Sequence, residues 1–469
     1  MRRTTLPVVI LLVAAAGCLV AAFLAASGST HGGRPVAADR TPLLSARRAP
    51  TLLAASVGDP ALRSALDGIV AAGPSATCVS VSVDGREVYS HQADLPVPPA
   101  SNQKLLTAAV ALQVLGADHR FRTTVVGPAP TGGTVNGDLH LVGGGDPVLS
   151  TKAYAAHYPD QPAAQTSMEK LADAVAASGV HHVTGRILGD ESRYDTLRTV
   201  PSWPDRFATQ HQTGPLSALT VNDGFTSYPA HETEQNRLEV EATTDPAGYA
   251  ASTFADLLRQ RGVQVDGGSG TGTAPAGAHE LAHVDSPTLS AIVGHMLTES
   301  DNEVAELLVK ELGHVRAGSG TTAAGLGVVR STASAMGLPS TGVRILDGSG
   351  LDYDDRVTCG FLAALLHRIG SHSPIASGLA VSGESGTLRD RFTDAPTKGR
   401  IRAKTGTLND VTALSGFAHT QQGQEVTFAY VATGAEVGPI LLGLQEQLGT
   451  GLVTYPAGVK VTTLSPQGS

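Results

Sequence analysis

The stretch PVPPASNQKLLTAAVALQVLG, residues 96–116, places a serine and a lysine three positions apart at the start of an almost wholly apolar helix. Residues three apart on a helix share one face, so Ser101 and Lys104 lie together. A serine hydroxyl becomes a good nucleophile only when a base accepts its proton. The first helical turn also lies in the positive field of the helix N-terminus, which favours developing negative charge. The stretch therefore predicts a nucleophile and its base.

A second serine–lysine pair with the same spacing occurs in TSMEKLADAVAASGV, residues 166–180. Here the apolar residues follow one face of an amphipathic helix, which leaves Lys170 on the polar face. Thr166 or Ser167 then fits the N-cap position, where a hydroxyl accepts a backbone hydrogen bond. The helix after Ser101 is apolar nearly all round and offers its lysine no such face. We therefore predict function at the first pair and a helix cap at the second.

The stretch TESDNEVAELL, residues 298–308, leads into another helix. The Ser300 hydroxyl can relay a proton, and the Asn302 amide can hold a substrate carbonyl. By itself, Ser-Asp-Asn before a helix is an N-cap sequence. This triplet gains a functional meaning only together with other motifs.

The stretch RAKTGTLND, residues 402–410, reads as a strand. Lys404 and Thr405 supply a cation and a hydroxyl that can hold a carboxylate. Gly406 lets a substrate backbone lie close to the strand. By itself, this is an ordinary strand that contains a lysine.

The composition is that of a globular protein, since 41% of the 469 residues are hydrophobic and 16% are charged. Disordered and fibrous classes are excluded. A net charge of −9 argues against a nucleic-acid surface. The 16 histidines are scattered without metal-binding spacing, so we expect neither a metal ion nor a cofactor. Beyond the leader, Cys78 and Cys359 are the only cysteines, and a disulfide or two separate buried thiols are both open.

The N-terminal residues predict that the protein is exported. Arg2 and Arg3 precede an apolar run over residues 6–26, which predicts a signal peptide or a membrane anchor at 1–27. The positive residues would stay in the cytoplasm and the rest of the chain would lie outside. Residues 28–50, rich in glycine, proline and arginine, predict a flexible tether.

The rest of the chain alternates between helical and strand-like texture. It predicts a helix at 61–72, a hairpin at 78–91, a glycine-rich region of short strands from 121 with a helix at 167–178, helices at 289–313, antiparallel strands at 399–433 and a last helix at 437–449. We therefore expect an α+β fold. Residues 51–121 and 286–469 should form one domain, and residues 122–285 a mostly β insertion.

In the order S-x-x-K, S-D-N and K-T-G, the three motifs match the set shared by penicillin-binding proteins and class A β-lactamases. The 195 residues between Lys104 and Ser300 resemble the large insertion of D-alanyl-D-alanine carboxypeptidase/endopeptidases of the penicillin-binding protein 4 (DacB) type, the class C low-molecular-weight proteins of peptidase family S13. Matching phrases include GDLHLVGGGDPVLS at 137–150, DGSGLD at 347–352 and GESGTLRDRF at 383–392.

The resemblance implies a β-lactamase/transpeptidase-like fold: an antiparallel sheet with helices on both faces, and a site between the edge strand bearing Lys404 and the helices bearing Ser101. It implies a peptidoglycan stem peptide as substrate and β-lactams as covalent inhibitors. Ser101 would be acylated, with Lys104 as its base and Ser300 as the relay to the leaving D-alanine.

Further roles also follow from the resemblance. Asn302 would hold the substrate amide, and Lys404 with Thr405 the terminal carboxylate, beside Gly406. Backbone N–H groups of Ser101 and Thr407 would form the oxyanion hole. Asp205 would meet the amino end of the stem's diamino acid.

One phrase departs from the family. Related proteins commonly continue DGSGL with Ser-Arg, whereas this chain has Asp352 and Tyr353, so by the resemblance a basic contact to the stem would be missing and the preference among stem peptides stays open. Two alternatives stay open. A β-lactamase shares the three motifs but spaces the first two more closely and needs a base for deacylation. A cell-wall-binding scaffold would keep the fold with little turnover.

Overall fold

A computed structural model describes residues 49–158, 164–228, 240–434, 436 and 438–457. One compact unit spans Ala54–Val461; the other, Met1–Leu53 with Thr462–Ser469, lies almost wholly outside these ranges. The predicted leader (1–27) and nearly all of the predicted tether (28–50) also lie outside them. Among the described helices, none is long and apolar enough to cross a membrane.

Helices and strands alternate along the described chain. The helices are α1 (Ala49–Ala72), α2 (Gln103–Leu115), α3 (Lys152–Ala155), α4 (Met168–Ala177), α5 (Arg206–Thr209), α6 (Pro246–Gln260), α7 (Leu289–Glu299), α8 (Asn302–Ala317), α9 (Thr322–Ala335), α10 (Cys359–Ile369), α11 (Pro374–Ser377) and α12 (Pro439–Thr454). The strands are β1 (Ala76–Val83), β2 (Arg86–His91), β3 (Arg122–Gly127), β4 (Thr134–Val135), β5 (Leu139–Val142), β6 (Leu149–Ser150), β7 (Thr166–Ser167), β8 (His182–Val183), β9 (Ile187–Asp190), β10 (Phe225–Ser227), β11 (Glu241–Ala242), β12 (Gln264–Val265), β13 (Ser269–Thr271), β14 (His279–Asp285), β15 (Ala380–Val381), β16 (Ile401–Leu408), β17 (Val411–His419) and β18 (Glu425–Thr433).

The central sheet joins the two ends of the described chain. Its strand order is β15-β16-β17-β18-β1-β2, and every neighbouring pair is antiparallel. The predicted hairpin is confirmed: β1 and β2 turn at Asp84 and Gly85, both with positive φ (48° and 78°), as a two-residue hairpin turn requires. The central antiparallel sheet of the expected α+β fold is therefore present.

Successive side chains of the sheet enter two different cores, because strand side chains alternate between faces. Val79 packs with α1 and α12 on one face, whereas Cys78 packs with α2, α7, α8 and α10 on the other. Each fully buried aliphatic side chain contributes about 1.5–3 kcal/mol. The helices on both faces thus follow from strands that are apolar on both sides.

Cys78 of β1 and Cys359 at the start of α10 form a disulfide, with their Cα atoms 5.8 Å apart. The sequence left this pairing open. The bond joins the sheet to the helical face that carries Ser101.

Residues 122–285 contain sheets and a core of their own. A five-stranded sheet has the order β13-β9-β5-β3-β14, and α4 and α6 pack on it around Phe254 and Leu171. The two ends of this segment lie side by side, because Arg122 pairs with Asp285 at 2.7 Å. Adjacent ends are typical of an insertion. The domain boundaries themselves stay a prediction.

Candidate active site

Ser101 lies in a tight turn, Ala100–Asn102, that leads directly into α2. Ala100 has a positive φ of 46°, which is strained for a residue with a side chain. The turn is held from the sheet side, because the buried amide of Asn102 donates to Ser415 Oγ at 2.8 Å. Gly350 closes the other side, where a Cβ would stand 1.8 Å from the Ala100 carbonyl oxygen. The surroundings therefore fix the serine at the helix start.

Lys104 is completely buried one helical turn further on. Its Nζ lies 2.9 Å from Ser101 Oγ, 2.6 Å from Asn302 Oδ1 and 2.9 Å from the Ser349 carbonyl oxygen. Burial lowers the pKa of Lys104 to about 8, although nearby carboxylates, led by Asp347, act in the opposite direction. A lysine with this pKa has a substantial fraction of free amine near neutral pH.

The three partners of Lys104 suit a neutral amine acting as a base. A neutral amine has two N–H donors and one lone pair. Two of the partners, an amide oxygen and a backbone carbonyl, can only accept, so they take the two N–H groups. The lone pair is then left for the Ser101 hydroxyl. This arrangement can remove the serine proton.

The Ser300–Asn302 triplet forms the turn between α7 and α8. Ser300 ends α7 in the left-handed conformation (φ 64°), and Asp301 caps α8 by accepting a hydrogen bond from Val304 N. Asn302 Nδ2 donates to the Gln212 carbonyl at 2.7 Å, which turns its Oδ1 toward Lys104. The triplet is thus both a helix cap and part of the site.

A cavity of about 230 Å³ opens beside this turn. His295, buried in α7, pairs with Asp301 at 3.2 Å, and this contact helps to raise the histidine pKa against the effect of burial. Burial and the Asp301 charge raise the pKa of Asp223, in the same cavity wall, to about 7. The lining residues are Tyr154, Tyr158, His211, Gln212, Thr213, Gly214, Asp223, Phe225, Glu299, Ser300, Asp301, Asn302 and Glu303.

Lys404 is completely buried in β16, with its Nζ donating to the Thr405 carbonyl at 2.9 Å. Burial holds its pKa well below the ordinary value, and the positive charge of Lys104 lowers it further. The two lysines are therefore close enough to repel each other. Thr405 Oγ1 donates to Thr387 Oγ1 at 2.8 Å.

The K-T-G strand lies one position inside the sheet, which refines the expected edge position. The two-residue strand β15 pairs only with Arg402 and Ala403. From Lys404 onward, β16 has no ladder partner among the described residues on that side, so this part of the strand is an edge. Thr407 is exposed there.

Packing also requires a glycine at position 406, apart from the predicted need for a substrate backbone to lie close to the strand. A Cβ on Gly406 would stand 3.0 Å from the Pro99 carbonyl oxygen and 3.1 Å from Ala100 Cβ. The strand can therefore approach the turn before Ser101 only because residue 406 has no side chain.

Asp205 is a predicted site residue that the structure does not tie to the others by a hydrogen bond or ion pair, within the part of the chain it describes. It is exposed, and among the described residues no hydrogen bond or ion pair joins it to the Ser101 group. Two residues earlier, Trp203 Nε1 donates to buried Asp347 Oδ2 at 2.8 Å. The next residue, Arg206, lies over the ring of Tyr353, 5.5 Å from its centroid. Asp205 thus lies in the chain between two residues that contact Asp347 and Tyr353.

The sequence did not identify three groups that contact the predicted residues: the carbonyls of Ser349 and Gln212, and the Thr387 hydroxyl. The phrases DGSGLD and GESGTLRDRF contain two of them, so the phrases gave a signal but no role. The second serine–lysine pair is confirmed as a cap, since Ser167 Oγ accepts from Lys170 N at 3.2 Å and Lys170 is exposed.

A buried lysine against a helix-start serine, between an antiparallel sheet and a helical layer, defines an acyl-transferring serine enzyme. Comparison with known proteins gives the family. The sequence matches the D-Ala-D-Ala carboxypeptidase 3 (S13) family over residues 53–243 and 229–440. It is 32% identical over 490 aligned positions to the D-alanyl-D-alanine carboxypeptidase of Actinomadura sp. (strain R39), covering 88% of this chain and 86% of that one.

Solved structures show the same fold. Penicillin-binding protein 4 (dacB) from Haemophilus influenzae superposes with a TM-score of 0.69 at 18% identity, covering 83% of this chain and 99% of that one. The same protein complexed with a β-lactam gives a TM-score of 0.60 at 18% identity and the same coverage.

The chain therefore belongs to the D-Ala-D-Ala carboxypeptidase 3 (S13) family. It is a serine-type D-Ala-D-Ala carboxypeptidase or endopeptidase that acts on peptidoglycan, on the extracytoplasmic side of the membrane.

Proposed function

We propose that Ser101 attacks the carbonyl carbon of the penultimate D-alanine of a stem peptide while Lys104 accepts its proton. The contact that carries this proposal is the 2.9 Å separation of Lys104 Nζ and Ser101 Oγ. The bond to the terminal D-alanine, or to a neighbouring stem, then breaks and leaves an ester on Ser101. Water hydrolyses that ester. Proton removal by a positioned base contributes roughly 10²–10⁴-fold in such reactions.

Ser300 relays the proton from Lys104 to the leaving amine, and Asn302 holds the substrate amide. The support is that both side chains line one cavity and that Asn302 Oδ1 contacts Lys104. Asn302 Nδ2 has two hydrogens, and its bond to Gln212 uses one. The second remains for a substrate carbonyl.

Lys404 and Thr405 bind the terminal carboxylate, with Gly406 beside them. Because the pKa of Lys404 is held well below its ordinary value, an arriving carboxylate stabilises the charged lysine and raises that pKa. Carboxylate binding therefore takes up a proton. The backbone N–H groups of Ser101 and Thr407 stabilise the oxyanion, usually the largest catalytic contribution.

Asp205 contacts the amino end of the diamino acid in the stem. Its support is its exposure and its position two residues after Trp203, which is bonded to Asp347 beside the site. β-Lactams acylate Ser101 in place of the stem peptide, as expected of a chain whose fold matches a β-lactam complex.

The N-terminal segment and the domain division complete the proposal. Residues 1–27 act as a signal peptide or as a membrane anchor, and residues 28–50 tether the enzyme to the membrane if the leader is retained. Residues 51–121 with 286–469 form the peptidase domain, and residues 122–285 are inserted into it. The adjacent ends of the inserted segment support this division.

Purified full-length protein tests the proposal directly. We expect fluorescent penicillin to label the peptide that contains Ser101, and a D-Ala-D-Ala pentapeptide to release D-alanine. Cross-linked cell wall should be cut between stems if endopeptidase activity is present. A penicilloyl adduct that survives only milliseconds would favour a β-lactamase instead. No label and no D-alanine release would favour a binding scaffold.

A further inference from the structure

The loop 347–350 supplies the third partner of Lys104, the Ser349 carbonyl. Two helices hold the loop. Buried Glu306, on α8, accepts hydrogen bonds from Gly348 N at 2.9 Å and Ser349 N at 2.8 Å. Thr107, on α2, donates to the Gly348 carbonyl at 2.6 Å. The carbonyl that faces Lys104 therefore belongs to a backbone segment fixed on two sides.

The segment at 122–285 reaches the same loop through Trp203, the only tryptophan of the chain. Its indole Nε1 donates to Asp347 Oδ2 at 2.8 Å, and both side chains are buried. Asp347 also accepts from Gly350 N at 2.6 Å, which fixes the turn that follows Ser349. This hydrogen bond thus connects the segment at 122–285 to the loop whose backbone touches the lysine.

We infer that Trp203, Asp347 and Glu306 are positioning residues that hold the Ser349 carbonyl where it turns the lone pair of Lys104 toward Ser101. The inference rests on the proposed role of Lys104 as base. A base displaced by about 1 Å costs roughly 10²-fold in rate, so the exact place of this carbonyl matters. The segment at 122–285 then takes part in proton removal without touching the substrate.

The chain offers a matched contact with no access to the loop. Tyr194, from the same segment, donates to buried Glu311 Oε2 at 2.9 Å, and Glu311 lies on α8 as Glu306 does. Tyr194→Phe and Trp203→Phe each remove one buried hydrogen bond between this segment and a carboxylate. They differ in whether that carboxylate orders loop 347–350.

The test compares these two variants in the full chain. The acylation rate by benzylpenicillin is measured across the pH range around 8, and stability by urea unfolding. Both variants should lose stability. Trp203→Phe should lower the acylation rate on the high-pH plateau about tenfold. It should also move the acidic limb of the pH profile to lower pH. When the Ser349 carbonyl withdraws, the ammonium form of Lys104 loses more stabilisation than the amine form, so the pKa of Lys104 falls. Tyr194→Phe should keep the wild-type plateau and limb.

A second pair keeps the inference testable if Trp203→Phe does not fold. Burial raises the pKa of Glu306 to about 8, so the neutral acid resembles glutamine at neutral pH. Glu306→Gln keeps an acceptor for the loop and should recover most of the rate that Glu306→Ala loses. Equal rates in those two variants would overturn the inference.

A wild-type plateau and limb in Trp203→Phe, or the same change in Tyr194→Phe, would also overturn it. Failure of the proposed function looks different, since the wild-type protein itself would then not be acylated at Ser101.

Discussion

Two regions of this protein carry the same local pattern, a serine at a helix start with a lysine three residues later. At Ser101, the lysine is buried, its Nζ lies 2.9 Å from the hydroxyl, and burial lowers its pKa to about 8. At Ser167, the lysine side chain is exposed, and only its backbone N–H donates to the serine oxygen. Spacing brings both pairs onto one helix face, but burial decides which pair can do chemistry.

The neighbours of each pair explain the difference. Ser167 Oγ donates to Glu169 Oε2 at 3.1 Å, so a half-buried carboxylate already accepts the hydrogen of this hydroxyl. Within the described part of the chain no carboxylate bonds the Ser101 hydroxyl, and Lys104 Nζ contacts two groups that can only accept. Desolvation makes a lysine give up its proton more easily, and of these two lysines only Lys104 is buried.

Removing each serine gives the largest expected contrast. Ser101→Ala should abolish labelling by fluorescent penicillin, because no oxygen remains to form the ester. Ser167→Ala should be labelled like the wild type. Gel fluorescence after a fixed reaction time, followed by mass spectrometry of the labelled peptide, measures both. Label on the peptide that contains Ser167 would show that the wrong serine is assigned.

Removing each lysine should give the next largest contrast. Lys104→Met should slow acylation roughly 10²–10⁴-fold, because the serine would lose the base that we propose for it. Lys170→Met should stay within about twofold of the wild-type rate, since its amine faces solvent. Stopped-flow acylation by benzylpenicillin measures both rates, and circular dichroism shows that each variant is folded. Equal rates in the two variants would remove Lys104 from the mechanism.

The wild-type pH dependence sharpens the contrast between the lysines. Because the folded-state pKa of Lys104 is lowered to about 8, the amine form grows as pH rises through that value. The acylation rate should therefore rise about tenfold per pH unit well below 8 and level off above it. Stopped-flow rates over this range provide the measurement. If the acylation rate instead rose with a midpoint near the ordinary lysine pKa, about 10.4, Lys104 would not be desolvated in solution.

Much of the fold and the site could be predicted because side chains carry the signal. The hairpin at 78–91, the cap at Ser167 and the contact of Ser101 with Lys104 all follow from patterns of residue type and spacing. The Ser349 and Gln212 carbonyls could not be predicted, because a backbone carbonyl is present at every residue. Long-range pairs such as Trp203 with Asp347 depend on how separate segments pack, which spacing does not encode.

Two features show where residue patterns underdetermine the structure. Cys78 and Cys359 were compatible with a disulfide and with separate thiols, and only the packing of α10 on β1 brings them together. The α6 helix, Pro246–Gln260, is not among the predicted elements, although Asp245 caps it and Pro246 begins it in the usual manner. The sequence around it was predicted to form short strands, and for that reason the helix start at Asp245 and Pro246 was missed.

The smallest expected effect tests the cap rather than the nucleophile. Ser167→Ala removes the side-chain acceptor at the start of α4 and should lower the free energy of unfolding by about 1 kcal/mol. Ser331→Ala is the control, because Ser331 is exposed within α9 and bonds only the carbonyl of Val328, so alanine there should be neutral or slightly stabilising. Urea unfolding followed by circular dichroism measures both differences. If Ser167→Ala left the unfolding midpoint unchanged, the second pair would have neither a chemical nor a capping role, and the similarity of the two patterns would be coincidence.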